Sequence, residues 1–214
     1  PNNIYGYDID ANAVKIAKAN LFSIYKDYDF QPNIYEADFL KTQLVKKFDI
    51  IITNPPWGAK SNFEHDSFLE IHSKESFSYF LKKSIDHTTD NTGKIIFLLP
   101  TSVLNVKTHK DIRRYIVEKT SIEKIQIFKK PFTAVLTDAV SLSLSKQKTN
   151  ITEIIENENT HQVDSNRFSK NKDNVFTLYG KQIENIIKKI ENTKNFNLKE
   201  CDYALGIVTG NNSK

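Results

Sequence analysis

The run Phe48-Asp49-Ile50-Ile51-Ile52-Thr53 stops at Asn54 and two consecutive prolines, and this junction constrains the fold more tightly than any other segment of the chain. A continuous apolar stretch of β-branched residues is what a strand buried on both faces of a parallel sheet requires. Pro55 and Pro56 then fix two backbone torsions, remove two N–H donors and push the residue before each into the extended region. The chain must leave the sheet there as a rigid arm whose carbonyls have no ladder partners.

Similar punctuation organises the rest. Ile4 to Tyr7 reads as a short strand ending at Asp8, and Val14, Ala17, Leu21, Ile24 and Tyr28 then recur at helical spacing behind an Asp10 N-cap. Asn33 to Glu36 reads as a second strand. Phe77, Phe80, Leu81 and Ile85 mark another helix, ended by Asn91-Thr92-Gly93, before a buried strand from Lys94 to Leu99 that Pro100 stops. Residues 108–119 predict a third helix and Ile122 to Phe128 a strand. Ala139 to Leu144 alternates and is expected to pair with that strand antiparallel and close the sheet. Residues 146–177 are polar and read as a connection with short strands. A fourth helix is predicted at 179–191, with Ile183, Ile186, Ile187 and Ile190 on one face.

Strands separated by helices predict an α/β fold with a doubly wound sheet, in which ligands sit at the carboxyl ends of the strands. Asp8, Asp38 and Asn54 each follow a predicted strand. The chain's 214 residues hold one such domain plus the start of something else. No apolar run approaches the ~20 residues of a membrane span, and no secretory signal opens the chain, so a cytoplasmic protein is expected. A single cysteine, Cys201, excludes an internal disulfide, and neither it nor the five histidines show ligand spacing, so no metal site is expected. The net charge of +4 tolerates a polyanionic partner without demanding one. The chain begins at Pro1 and contains no methionine, which reads as a piece of a longer polypeptide.

The arm Asn54-Pro55-Pro56-Trp57 suits one kind of chemistry. The Asn54 side-chain oxygen and the Pro55 carbonyl are acceptors that can grip both hydrogens of an amino group. The lone pair of an aromatic amine is delocalised into its ring. Two acceptors favour a pyramidal nitrogen and stabilise the positive charge that develops as it attacks a sulfonium methyl group. Trp57 adds a flat face on which a purine can stack, worth roughly 1 to 3 kcal/mol per base. The competing reading is a strand terminator followed by a core tryptophan.

With these residues in view, the chain resembles the gamma-class, TaqI-like adenine DNA methyltransferases of restriction-modification systems. Tyr5-Gly6-Tyr7-Asp8-Ile9-Asp10 resembles a motif whose acidic residue binds the ribose hydroxyls of S-adenosylmethionine and whose next residue packs on its adenine, roles that fall to Asp8 and Ile9. Glu36-Ala37-Asp38-Phe39-Leu40 resembles a motif in which Asp38 accepts from the cofactor's amino group and Phe39 covers the ring. The segment Phe128-Lys129-Lys130-Pro131-Phe132 before Ala139 resembles one that sets an aromatic ring against a flipped target base. Phe132 is chosen there over Phe128 by spacing, with Lys129 and Lys130 as DNA phosphate contacts.

The resemblance implies a Rossmann-like methyltransferase sheet, incomplete at its N-terminus because the family's glycine-rich cofactor motif has no counterpart here. It divides the chain into a partial catalytic domain at 1–146, a connecting region at 147–200 and the start of a target-recognition domain at 201–214, where Ala204 to Asn212 carries the likeness. The implied activity is adenine-N6 methylation of double-stranded DNA, with a restriction endonuclease as partner, fused or separate, and with this piece alone inactive. Two alternatives remain. One is an amino-group methyltransferase acting on RNA bases or a release-factor glutamine; the other is a catalytically inactive DNA-binding or specificity protein.

Overall fold

Tyr5–Asp8 (β1) and Asn33–Glu36 (β2) pair in parallel as a two-stranded sheet, linked by the helix Ala11–Ile24 (α1). These elements are seen in a computed structural model that describes residues 3–60, 68–132 and 137–193. The Asp10 carboxylate caps α1 by accepting from the Asn12 amide at 2.8 Å, as its position predicts. The helix ends at Ile24, so Tyr28 falls outside it, and of the expected apolar stripe only Val14 is buried. Two strands are too narrow a platform to cover a helix of this length.

Residues from Ile50 onward build a second, six-stranded sheet. Its order is Ile50–Thr53 (β3), Lys94–Pro100 (β4), Ala139–Ser145 (β6), Ser121–Phe128 (β5), Ile151–Glu156 (β7) and Asn159–Asp164 (β8). β3 and β4 are parallel, and β6 runs antiparallel to both of its neighbours. The sheet does not close at Leu144 as expected. The β7–β8 hairpin extends it along the free edge of β5, with Thr152 Oγ1 donating to the Ile122 carbonyl at 2.6 Å. Its tight turn starts at Asn157, whose φ of 55° asparagine tolerates. The short strands expected in this polar region are therefore present, and the inward residues of β7 are only Thr152 and Ile154.

The helix Ser76–Asp86 (α2) connects β3 to β4, and Lys110–Lys119 (α3) connects β4 to β5. Phe77, Leu81 and Ile85 of α2 and Ile112 and Ile116 of α3 are buried in one core with Ile95, Phe97 and Leu99 of β4 and Leu142 and Leu144 of β6. Full burial of each such side chain is worth roughly 1.5 to 3 kcal/mol. α2 stops at Asp86, before the Asn91-Thr92-Gly93 signal, because the chain first turns through Thr88, which bridges to Phe48. Gly93 is required at the end of that turn, since a Cβ there would sit 2.1 Å from Thr88 Cγ2.

The expectation that β3 is buried on both faces is corrected. Ile50 and Ile52 are 59% and 70% exposed, because β3 is an edge strand and nothing among the described residues covers that face. The edge of β1 and the edge of β3 border a slot of about 530 Å³, lined by Tyr5, Tyr7, Phe39 and Ile50 to Thr53 among others.

Residues Pro1–Leu178 form one compact unit, which also holds the short helix Asn166–Lys170 (α4). Tyr179–Lys214 form another, whose described part is the helix Lys181–Thr193 (α5), with Ile183, Ile186 and Ile190 exposed along one face. The segment at 201–214, read as the start of a recognition domain, lies outside the described residues. Among the described residues no helix is long and apolar enough to cross a membrane.

Candidate active site

The last ladder pair between β3 and β4 is Thr53 with Phe97. The prolines prevent a further pair, which leaves the next β4 residue, Leu98, with a carbonyl that β3 does not take up. The Trp57 indole N–H fills that place, donating to the Leu98 oxygen at 3.3 Å. Ser76, the first residue of α2, grips the same arm: its hydroxyl donates to the Pro56 carbonyl at 2.7 Å and its amide to the Ala59 carbonyl at 2.9 Å. Gly58 makes the intervening turn at a φ of 70°, where a side chain would be strained. The arm is therefore fixed at Pro56, Trp57 and Ala59. Asn54 is exposed and Pro55 is buried, and neither the Asn54 side-chain amide nor the Pro55 carbonyl has a partner among the described residues. Two adjacent acceptors are thus left unpaired on a clamped backbone.

Phe132, in the connection between β5 and β6, reaches this arm. Its ring, 37% exposed, meets Trp57 edge to face at 5.9 Å between centroids and 70° between planes. The rival Phe128 remains in the sheet, paired with Ala139. The two rings thus come together, but in mutual contact, and a base stacked between their faces requires them to part. Lys129 and Lys130 are exposed in the same connection, and the Lys130 amide donates to Asp138 Oδ1 at 3.1 Å.

The other expected residues lie at the ends of β1 and β2. Asp8 is paired with Glu36, and the Ala37 amide donates to the Asp8 carbonyl at 2.8 Å, so the two strand ends stand side by side. One oxygen of the exposed Asp8 carboxylate accepts from the Asp10 amide at 2.8 Å, and Ile9 beside it is 75% exposed. Asp38 shapes its own turn: Oδ1 accepts from the Leu40 amide at 2.9 Å, its carbonyl accepts from Thr42 at 2.9 Å, and Oδ2 pairs with Lys41 at 3.3 Å. Phe39 stacks on Phe80 of α2, with centroids 5.4 Å apart and planes 19° apart.

Ser76 and Lys83 carry no reading in the sequence, and Phe80 is read there only as part of the helix's apolar face. Lys83 is 7% exposed and donates to the carbonyls of Phe39, Leu40 and Thr42 at 2.6, 3.0 and 2.5 Å. Burial lowers its pKa, opposed by the negative charge of Asp38. The available signal was the pair Lys82-Lys83 set between the apolar helix positions Leu81 and Ile85. Among the described residues no group of histidine, cysteine, aspartate or glutamate suits a metal ion.

Residues 2–133 match the Eco57I restriction-modification methylase family. The chain is 30% identical over 226 residues to the type II methyltransferase M.VspI of Vibrio sp. (strain 343), an alignment covering 100% of this chain and 54% of that protein. The chain therefore spans about half the length of that relative. Among solved structures, the methyltransferase subunit of a type I restriction-modification system from Streptococcus thermophilus aligns with a TM-score of 0.59 at 21% identity, covering 90% of this chain and 42% of that one. The type IIG restriction endonuclease BpuSI aligns with a TM-score of 0.63 at 14% identity, covering 90% and 28%. At these identities the structures share the fold, a Rossmann-like methyltransferase sheet.

Proposed function

Since the chain belongs to the Eco57I restriction-modification methylase family, we propose that it carries the catalytic arm and the cofactor edge of a site-specific DNA methyltransferase acting on the exocyclic amine of adenine. The observation that carries this reading is the division of labour in the arm. Ser76 and Leu98 occupy Pro56 and Trp57, while Asn54 Oδ1 and the Pro55 carbonyl are neighbouring acceptors without a partner among the described residues.

The residues at the ends of β1 and β2 fit S-adenosylmethionine by the chemistry of their donor set. Asp8 offers carboxylate oxygen to a ribose diol, Ile9 an uncovered apolar face, Asp38 an acceptor for an amino group, and Phe39 an aromatic ring. When bound, S-adenosylmethionine supplies an electrophilic methyl group on a sulfonium. Asn54 and Pro55 accept the two amine hydrogens, orient the nitrogen lone pair and stabilise its developing charge. No strong base is needed, since the proton becomes acidic once the nitrogen is alkylated and leaves to solvent. Trp57 supports the purine from one side and Phe132, once displaced from Trp57, from the other. Lys129 and Lys130, exposed in the β5–β6 connection, take the DNA phosphates in this reading. A restriction endonuclease is the expected companion of the whole protein, and 201–214 the start of its recognition domain.

The test is methyl transfer from labelled S-adenosylmethionine by the full-length protein to unmethylated DNA, with tRNA and a release factor as competing substrates. Label is expected in DNA as N6-methyladenine, and Asn54→Ala should reduce it by about 10²- to 10³-fold or more with the fold intact. Label in RNA or protein alone would keep the amine chemistry and overturn the substrate.

A further inference from the structure

Ser76, Phe80 and Lys83 stand at positions i, i+4 and i+7 of α2, which places them on one face of the helix. Between them they touch two loops of the proposed site, Ser76 the acceptor arm and both Phe80 and Lys83 the turn that follows Asp38. Ser76 holds the Pro56 and Ala59 carbonyls of the acceptor arm, Phe80 stacks on Phe39, and Lys83 binds three carbonyls of the turn from Phe39 to Thr42. A buried ammonium is expensive unless its donors are used, and here three donors meet three acceptors. The salt bridges of the neighbouring Lys82 run instead to Glu70 and Asp86.

We propose that Lys83 is a positioning residue for the methyl donor: by holding the Phe39–Thr42 turn it sets the adenine-binding edge in register with the Asn54–Trp57 arm along one face of α2. The proposal rests on the reading of Asp38 and Phe39 as cofactor residues. In that turn the Asp38 carboxylate is partly exposed and the Phe39 ring lies on Phe80, while the carbonyls of Phe39, Leu40 and Thr42 have no partner but the lysine among the described residues. Helix α2 acts as a ruler with one loop fastened at its first residue and the other two turns along. A lysine at this place therefore acts on the cofactor through the backbone and need not touch it.

Calorimetric binding of S-adenosylmethionine and steady-state kinetics on the full-length protein test this with four variants. Lys83→Met should raise the cofactor Kd and KM about tenfold, equivalent to ~1.4 kcal/mol, with the KM for DNA held within about twofold. Lys83→Arg keeps the charge and several donors but cannot aim them from one atom, so an intermediate rise of about threefold is expected. Lys82→Met, equally buried on the same helix, should lower thermal stability and leave cofactor affinity unchanged. Asp38→Ala reports on the underlying reading. If Asp38→Ala weakens cofactor binding and Lys83→Met does not, the role of Lys83 is overturned while the cofactor reading stands. If Asp38→Ala has no effect, the cofactor reading itself fails. An equal rise in Kd from Lys82→Met would reduce Lys83 to general stability and overturn the proposal. Should Lys83→Met not fold, Lys83→Arg carries the test alone, and an unchanged Kd there refutes it.

Discussion

In the six-stranded sheet, Ile95, Phe97 and Leu99 of β4 are fully buried between α2, α3 and their sheet neighbours. In the two-stranded sheet, Ile34 is the buried residue of β2, with Val14 and Phe30 packed nearby, while Tyr35 and much of α1 face solvent. Both sheets nonetheless present polar residues at strand ends, Asn54 on the first and Asp8 and Asp38 on the second. The acceptor arm is thus built on a rigid base and the cofactor edge on a compliant one, since a two-stranded sheet is at best marginally stable unless it packs on something else. What it packs on is visible: Leu40 enters the main core, Phe39 stacks on Phe80, Lys83 binds the turn behind them, and Tyr5 meets Phe48 edge to face at 5.5 Å.

Substitutions of equal kind in the two sheets should therefore differ in consequence. Phe97→Ala removes a ring from the centre of the large sheet and is expected to cost about 3 to 5 kcal/mol in urea denaturation, with loss of all function in proportion. Ile34→Ala lies where the surroundings can collapse and should cost at the low end, about 2 kcal/mol, while weakening cofactor binding more than global stability explains. Equal costs, or an effect of Ile34→Ala on stability alone, would erase the distinction between the sheets.

The junction is sharpened by a smaller change. Trp57→Phe keeps a ring against Phe132 and deletes the hydrogen bond to Leu98, an expected loss of about 1 kcal/mol. The KM for DNA should rise, and the cofactor Kd should not move, because the indole belongs to the arm and not to the β1–β2 edge. A parallel rise in both constants would mean that the two sheets respond as one.

The elements themselves were largely legible in the sequence. Asp10 capping α1, the stop at Pro55 and Pro56, and the antiparallel β5–β6 pair all rest on local rules of capping, proline sterics and alternation, which hold regardless of what lies nearby. The misreadings fall where a residue's meaning depends on distant neighbours. Ile50 and Ile52 mark a face that β3 is suited to bury, and periodicity cannot say whether anything covers it. β7 lies among the short strands expected at 146–177, but two inward residues are too few to tell that it joins the sheet along β5. Lys83 reads as a solvated helix lysine until the turn at Asp38 is folded against it. Phe132 was expected across a base from Trp57, whereas in the folded chain the two rings touch each other.

The smallest expected effect is one of pH. His109, 4% exposed and packed on Phe77 in the large core, has its pKa lowered by burial and by the charge of Arg113. Its folded form binds a proton less readily than the unfolded chain, whose histidine titrates near about 6.5, so its effect is absent above that pH and stability falls as the pH drops below it. Tyr7 of β1 behaves oppositely. Burial, then Tyr35 and Tyr5, raise its pKa above the usual phenol value, so its contribution is complete below about pH 10 and is lost as the pH rises through that point. Tyr79 and Tyr115 in the large core have their phenol pKa raised by burial in the same direction, so alkali works against both sheets, whereas the acid effect of His109 belongs to the large one. Urea midpoints followed from pH 5 to 8 should lose part of their acid decline in His109→Leu. If His109→Leu leaves the acid limb unchanged, the buried imidazole is not what sets it, and the carboxylates must be.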